Sequence, residues 1–264
     1  MKLLWGYSDF SSLLDSRPSL RSGIVVDTNV LISATYDFDT FFEETIELLD
    51  ILVENQIPLF CNVNVRVEFL EIQRRIIFTE ALLSFENATK RSSLPFELAK
   101  KLSSLRSNQS AREKDGRSPL RLSEADIKNI KNLMIREVSL AGNLWFSFCK
   151  DYVNDQLLNI WAEVVEQVGL NFLSIRQEDQ DNYITAPTDW DKTIEFMSSE
   201  GVSSSDAMIL NMYQSSKFEA ILSSDADIGI SVFRMNRADK FVILPDAVAK
   251  SVQIIKSAVS HSKK

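Results

Sequence analysis

Five acidic residues stand where an open α/β sheet would expose them. Asp27 closes the β-branched run Ile24-Val25-Val26, and Asp225 and Asp227 follow the apolar run Ala220-Ile221-Leu222 after two serines, Ser223 and Ser224. Glu68 is one position from the stripe Val65 and Phe69, and Asp206 falls in the first turn of a helix on the face of Ile209, Leu210 and Tyr213. Ligands of open parallel sheets sit beyond the carboxyl ends of the strands, so these positions converge on one edge. Carboxylates at close quarters repel and cannot all ionise unless a cation holds them. Oxygen donors without His or Cys select Mg²⁺ or Mn²⁺ over zinc. Such an ion lowers the pKa of a bound water and stabilises charge on phosphoryl and leaving oxygens, so the implied chemistry is metal-assisted hydrolysis at phosphorus.

Composition narrows the alternatives. The 264 residues contain one histidine, His261, close to the end, and two cysteines, Cys61 and Cys149. A Ser-His-Asp or Cys-His centre cannot be built around it, nor a Cys/His zinc site. Seven glycines and no GxGxxG or GxxxxGK[ST] make a glycine-cradled nucleotide site unexpected. The cysteine pattern suits a reducing compartment, and no apolar run reaches the length of a membrane span, so a cytoplasmic protein without membrane contact is expected. The N-terminal MKLLWGYSDFSS is too short in its apolar part for a signal peptide, and the Asn87-Ala88-Thr89 sequon is read as chance.

The elements that must position the carboxylates follow from periodicity. Apolar runs at 24–26, 59–61, 220–222 and 241–244 read as buried strands, with another near 183–185. Helical spacing marks 39–54 (Phe42, Ile46, Leu49, Val53), then Val65, Phe69, Ile72 and Ile76, then 189–199, the segment after Ser203, and the C-terminal stretch from 246. Between 87 and 170 only helical patterns occur. One starts at the capping pattern Ser123-Glu124-Ala125-Asp126, and another carries Leu157, Trp161, Val164 and Val168 and stops at Gly169. Trp145, Phe146 and Phe148 read as core of this middle segment. The expected fold is α/β, an open, mostly parallel sheet of about five strands flanked by helices, with a core at about 22–86 and 170–260 and an all-helical insertion at 87–169.

The stretches IVVDTNVLIS (24–33), VRVEFLE (65–71), SSSDAMILNMY (203–213) and ILSSDADIG (221–229) resemble, in order, the four acidic motifs of PIN-domain ribonucleases, including VapC-type toxins. The likeness covers both flanks of the chain but not its helical middle. It implies a single PIN-like domain, an acidic metal-binding and catalytic quartet of Asp27, Glu68, Asp206 and Asp225, Asp227 as a further ligand, and Thr28, Asn29 and Ser223 as polar supports. The family often has Thr at the position of Ser223 and Phe at that of Ile228. The implied activity is Mg²⁺- or Mn²⁺-dependent cleavage of RNA, with the toxin role, an antitoxin or other protein partner and a homodimer as options the family offers. Each residue alone also has an ordinary use, as a turn residue or helix cap.

The net charge of −8 argues against a nucleic-acid partner only as an average. Positions 90–121 hold nine basic residues against three acidic, and Lys100, Lys101, Arg106, Arg112, Arg117 and Arg121 are the candidate RNA contacts. Three other functions compete. A HAD-type phosphatase needs a second Asp where Asn29 stands. A flap-endonuclease-like DNA nuclease lacks its helix-hairpin-helix glycines here. A catalytically silent PIN scaffold that binds RNA or a partner protein is the strongest rival.

Overall fold

The computed structural model describes residues 3–89, 94–139, 142–173, 181–186, 189–235 and 237–261. The chain forms two compact units, Met1–Phe69 together with Val164–Lys264, and Leu70–Glu163.

The first unit is built on a six-stranded, all-parallel sheet. Its strands are β1 (Leu4–Gly6), β2 (Ile24–Val26), β3 (Leu59–Cys61), β6 (Leu170–Phe172), β7 (Ala220–Leu222) and β8 (Phe241–Leu244), in the spatial order β1-β8-β7-β2-β3-β6. The four inner strands are continuous apolar runs of three or four residues, fully buried, as a parallel sheet covered on both faces requires. Helices α2 (Thr28–Thr35), α3 (Phe42–Glu54), the start of α4 (Val63–Ala88), α9 (Trp190–Glu200), α10 (Ser204–Ser215), α11 (Ala226–Met235) and α12 (Asp246–His261) flank it. Gly23 admits the chain into β2 at φ +129°, where a Cβ would lie 2.3 Å from the Phe60 ring. From β2 the chain moves outward through β3 to β6, then returns to the other side of β2 for β7 and β8. The strand order therefore reverses between β2 and β7, and a crevice opens there beyond the strands' carboxyl ends.

Two edges differ from the sequence-based expectation of about five strands. The first is β1, whose Trp5 and Gly6 give no β-branched run, yet whose backbone pairs in register with Val242–Leu244. The second is β6, a Leu-Asn-Phe segment with only Leu170 buried, beginning where Gly169 turns the chain at φ +60°. The strand expected near 183–185 is instead a single antiparallel bridge from Ile184 to Ser216, with Tyr183 packed on Phe60 and Phe218.

Beneath the loop that leaves α10, buried Lys240 donates from Nζ to the carbonyls of Tyr213 (3.0 Å), Ser216 (2.8 Å) and Phe218 (2.5 Å). The Tyr213 hydroxyl accepts from the Phe241 amide (2.8 Å) and donates to the Glu219 carbonyl (2.6 Å). Together they tie the end of α10 to β7 and β8.

The second unit packs the later part of α4 with α5 (Phe96–Lys114), α6 (Glu124–Ile135) and α7 (Leu144–Tyr152), followed by α8 (Asn154–Gln167). Leu82, Leu98, Leu102, Ile130, Met134 and Phe148 are its buried centre, and Trp145 stacks on Phe78 at 5.4 Å. Trp145 and Phe148 are core as expected from the sequence, whereas Phe146 is 67% exposed. The middle segment is not all-helical: β4 (Val138–Ser139) and β5 (Gly142–Asn143) form a small antiparallel hairpin between α6 and α7. Two residues per strand are too few to leave a periodic signal. Among the described residues no helix is long and apolar enough to cross a membrane.

Replacing Lys240 by Met keeps the apolar stem and strips three buried carbonyls of their donor. Lys240→Met is expected to lower the unfolding free energy by about 3 kcal/mol, measured by urea denaturation.

Candidate active site

The register of β2 and β7 sets the geometry. Val25 lies opposite Ile221 and Val26 opposite Leu222, and the Asp27 amide donates to the Leu222 carbonyl at 2.9 Å. The next residue on each strand is therefore delivered to the same place. The Ser223 hydroxyl donates to Asp27 Oδ2 at 2.7 Å, and the Thr28 amide donates to Asp27 Oδ1 at 2.6 Å, making Asp27 the N-cap of α2. Asp27 and Ser223 are both buried, and Tyr7, from the turn after β1, donates to the Ser223 carbonyl at 3.5 Å.

The other carboxylates come from two helices and from the loop after β7. Glu68, in the first turns of α4, accepts on Oε2 from the Thr28 hydroxyl (2.9 Å) and the Ser205 hydroxyl (2.6 Å). Asp206 closes a capping box with Ser203: its Oδ2 accepts from the Ser203 hydroxyl at 2.7 Å, and its own amide donates to that hydroxyl at 3.2 Å. Asp225 ends the loop after β7. Its amide donates to Ser223 Oγ (3.0 Å), and its Oδ1 accepts from the Asp227 amide (2.7 Å) at the start of α11. Three of the four acids thus lie at helix N-termini, where the macrodipole favours negative charge.

Burial pushes Asp27 up to about 7; the charges of Asp206 and Glu68 add to this, and the bonds from Ser223 and Thr28 partly offset it. Burial also raises Asp206, reinforced by Asp225 and Glu68 and opposed by its bonds with Ser203. Asp225 rises for the same first reason, with Asp227 and Glu68 as the like charges and the Asp227 amide opposing. The charged groups acting on these three acids are all carboxylates, so the four motifs are coupled electrostatically across one sheet edge.

The donor set is oxygen only, which suits a hard divalent cation. In the described arrangement each acid leans on hydroxyl or amide donors, and among the described residues no group of three or more His, Cys, Asp or Glu side chains is arranged to hold a metal ion. Ion binding at this site would require the carboxylates to exchange some of these hydrogen bonds.

Of the polar supports, Thr28 and Ser223 hold acids directly. Asn29 lines a pocket of about 280 Å³ beside Asp225, together with Asp39, Phe41, Ile32 and Val248. Asp227 is exposed and reaches the cluster through its amide and its charge. The six basic residues lie in the second unit, on α5 and in the segment after it. Lys101 pairs with Asp126 (3.0 Å), Arg106 with buried Glu86 (2.9 Å) and Arg117 with Asp115 (3.4 Å), and Arg112 donates to the Ser118 carbonyl (2.7 Å), while Lys100 and Arg121 are exposed. Sequence reasoning missed Ser205, Ser203 and Asp39 as site residues. The Ser-Ser-Ser-Asp run signals a helix start, but which hydroxyl meets Glu68 depends on the distant placement of α4.

No family model, no curated protein and no solved structure matches this chain.

The raised acid makes stability depend on pH with a definite sign. Folded Asp27 keeps its proton up to about 7, whereas the unfolded residue loses it near its ordinary 3.8. Between these values the folded state binds the extra proton, so stability falls as pH rises through the window and the full cost stands above it. In metal-free buffer, Asp27→Asn is expected to stabilise the protein at pH 8 by up to about 4 kcal/mol, a gain that vanishes below about pH 4. Thermal melts of both proteins from pH 4 to 8 measure it.

Proposed function

We propose that the first unit is a PIN-type, metal-dependent endoribonuclease core. The observation that carries this reading is the convergence of Asp27, Glu68, Asp206 and Asp225, from four separate stretches of chain, on the point where the strand order reverses. The ordered likeness of those four stretches to the acidic motifs of PIN ribonucleases points the same way. Mg²⁺ or Mn²⁺ would be held by these four acids, with Asp227 beside them, and when bound supplies a water activated at neutral pH and positive charge for the phosphoryl oxygens.

The chain's own residues have distinct tasks in this reading. Ser223 and the Thr28 amide hold the Asp27 carboxylate in a fixed orientation, and Thr28 and Ser205 do the same for Glu68. The capping box keeps Asp206 on the first turn of α10. Asp27, its pKa raised to about 7 by burial, would have to give up its proton to hold a cation, so metal affinity should increase as pH rises through 7. Exposed Lys100 and Arg121 are available to RNA phosphates, whereas Arg106 is committed to buried Glu86.

A second reading is favoured by one observation, the hydrogen bonds that satisfy each acid without an ion. It is a PIN-like scaffold that binds RNA or a partner protein and does not cut.

Incubation of the purified chain with mixed-sequence RNA, with Mn²⁺, Mg²⁺ or EDTA, separates the two. Cleavage with metal that EDTA abolishes and that falls at least about a hundredfold in Asp206→Asn is the expected result. Intact RNA in every condition overturns the nuclease reading in favour of the scaffold. Mn²⁺ is also expected to raise the melting temperature of the wild type and not of Asp27→Asn, since only an ion bound to the folded state stabilises it.

A further inference from the structure

The pocket beside Asp225 has the composition of a recognition site. Its walls include the ring of Phe41 and the aliphatic side chains of Ile32 and Val248, and its polar lining includes Asn29 and Asp39. The Ser33 hydroxyl, itself buried, lies 2.8 Å from Asp39 Oδ1 and 2.9 Å from the backbone carbonyl of Asn29, so it ties Asp39 to the main chain of α2, and Ser224 and Asp225 complete the polar lining. The Phe41 amide also donates to Asp39 Oδ1, at 2.9 Å. Both bonds to Asp39 fall on Oδ1, which leaves Oδ2 to accept from a ligand. The pocket thus joins an aromatic face, an amide donor and a braced carboxylate acceptor, on the same loop side as Asp225.

We propose that this pocket is a nucleobase subsite, one nucleotide from the reacting phosphate, selective for bases that carry an exocyclic amine beside an unprotonated ring nitrogen. The proposal rests on the ribonuclease reading for its place next to a scissile bond and goes beyond it in naming what is recognised. Phe41 supplies a stacking surface, which every base can use. Asp39 accepts from the amine, as carboxylates do from cytosine N4, and the Asn29 amide donates to the ring nitrogen. Cytosine and adenine share that edge. Guanine offers the same pair through N2 and N3 of its other edge, whereas uracil has no exocyclic amine and presents a carbonyl where the carboxylate needs a donor and a ring N–H where the amide needs an acceptor.

Free nucleosides test the subsite apart from catalysis, because they carry no phosphate and bind without metal. Saturation-transfer NMR and competition titrations on the full chain in EDTA are expected to rank cytidine, adenosine and guanosine at least about tenfold above uridine. Phe41→Leu, which keeps the apolar bulk, should weaken all binding about tenfold. Asp39→Asn retains the Oδ1 contacts with Ser33 and Phe41 but adds a donor, and should bring uridine to within about threefold of cytidine. Equal affinity for all four nucleosides, or no binding of any, overturns the subsite and leaves the ribonuclease reading to the RNA assay. The predicted ranking in a protein that cleaves no RNA sustains the subsite and overturns the ribonuclease reading.

Discussion

Val26 lies opposite Leu222, and each is the last residue of its strand. Everything polar at the sheet's edge depends on that alignment. It puts the Ser223 hydroxyl on Asp27, brings Asp225 to the mouth of the crevice, and starts α2 and α11 just beyond the ends of neighbouring strands. A register shift of one residue would turn Asp27 to the other face of the sheet, because side chains alternate with a period of two. The apolar strands therefore do more than fill the core. Their shared register is what allows a buried carboxylate to find a donor, and an unpartnered one would be far costlier.

The central part of this arrangement was legible in the amino-acid sequence, for a physical reason. Strands buried on both faces must be apolar throughout, so 24–26, 59–61, 220–222 and 241–244 stand out against their polar neighbours, and the acids that follow them are marked by position alone. Helix starts are legible too, since Ser203 and Asp206 satisfy the same local donors in any helix that begins there. The edge strands β1 and β6 were not legible. They pair through backbone groups that every residue has, and their side chains are too few and too mixed to show it. Contacts made by distant elements were hidden in the same way: nothing near Ser205 says that its hydroxyl reaches Glu68, 137 positions away, and nothing near Asp39 says that it shares a pocket with Asp225.

The second unit uses charge differently. Its basic residues stand out in the sequence as a run, yet the structure gives several of them architectural duties. Arg106 compensates a glutamate that is almost wholly buried, and Lys101 meets Asp126 in the first turn of α6. A cation bound to a buried carboxylate is held by its partner's desolvation and is not freely exchanged for a phosphate. Among the described residues, exposed Lys100 and Arg121 pair with no carboxylate. The local excess of positive charge is thus a mixture of internal bracing and free surface charge, and a count of basic residues overstates the second.

Asp27 and Ser223 are 196 positions apart in the chain, with the whole second unit encoded between them. At ribosomal rates of ~5–20 residues per second, roughly 10–40 s separate the synthesis of the first acid from that of its partner. During that interval β2 and β3 exist without β7, while the second unit, continuous in sequence, already has all of its own residues. No fragment that stops short of Asp225 contains the assembled acidic cluster. The discontinuity of the first unit therefore leaves the acidic cluster unassembled on the nascent chain until β7 and Asp225 have been made.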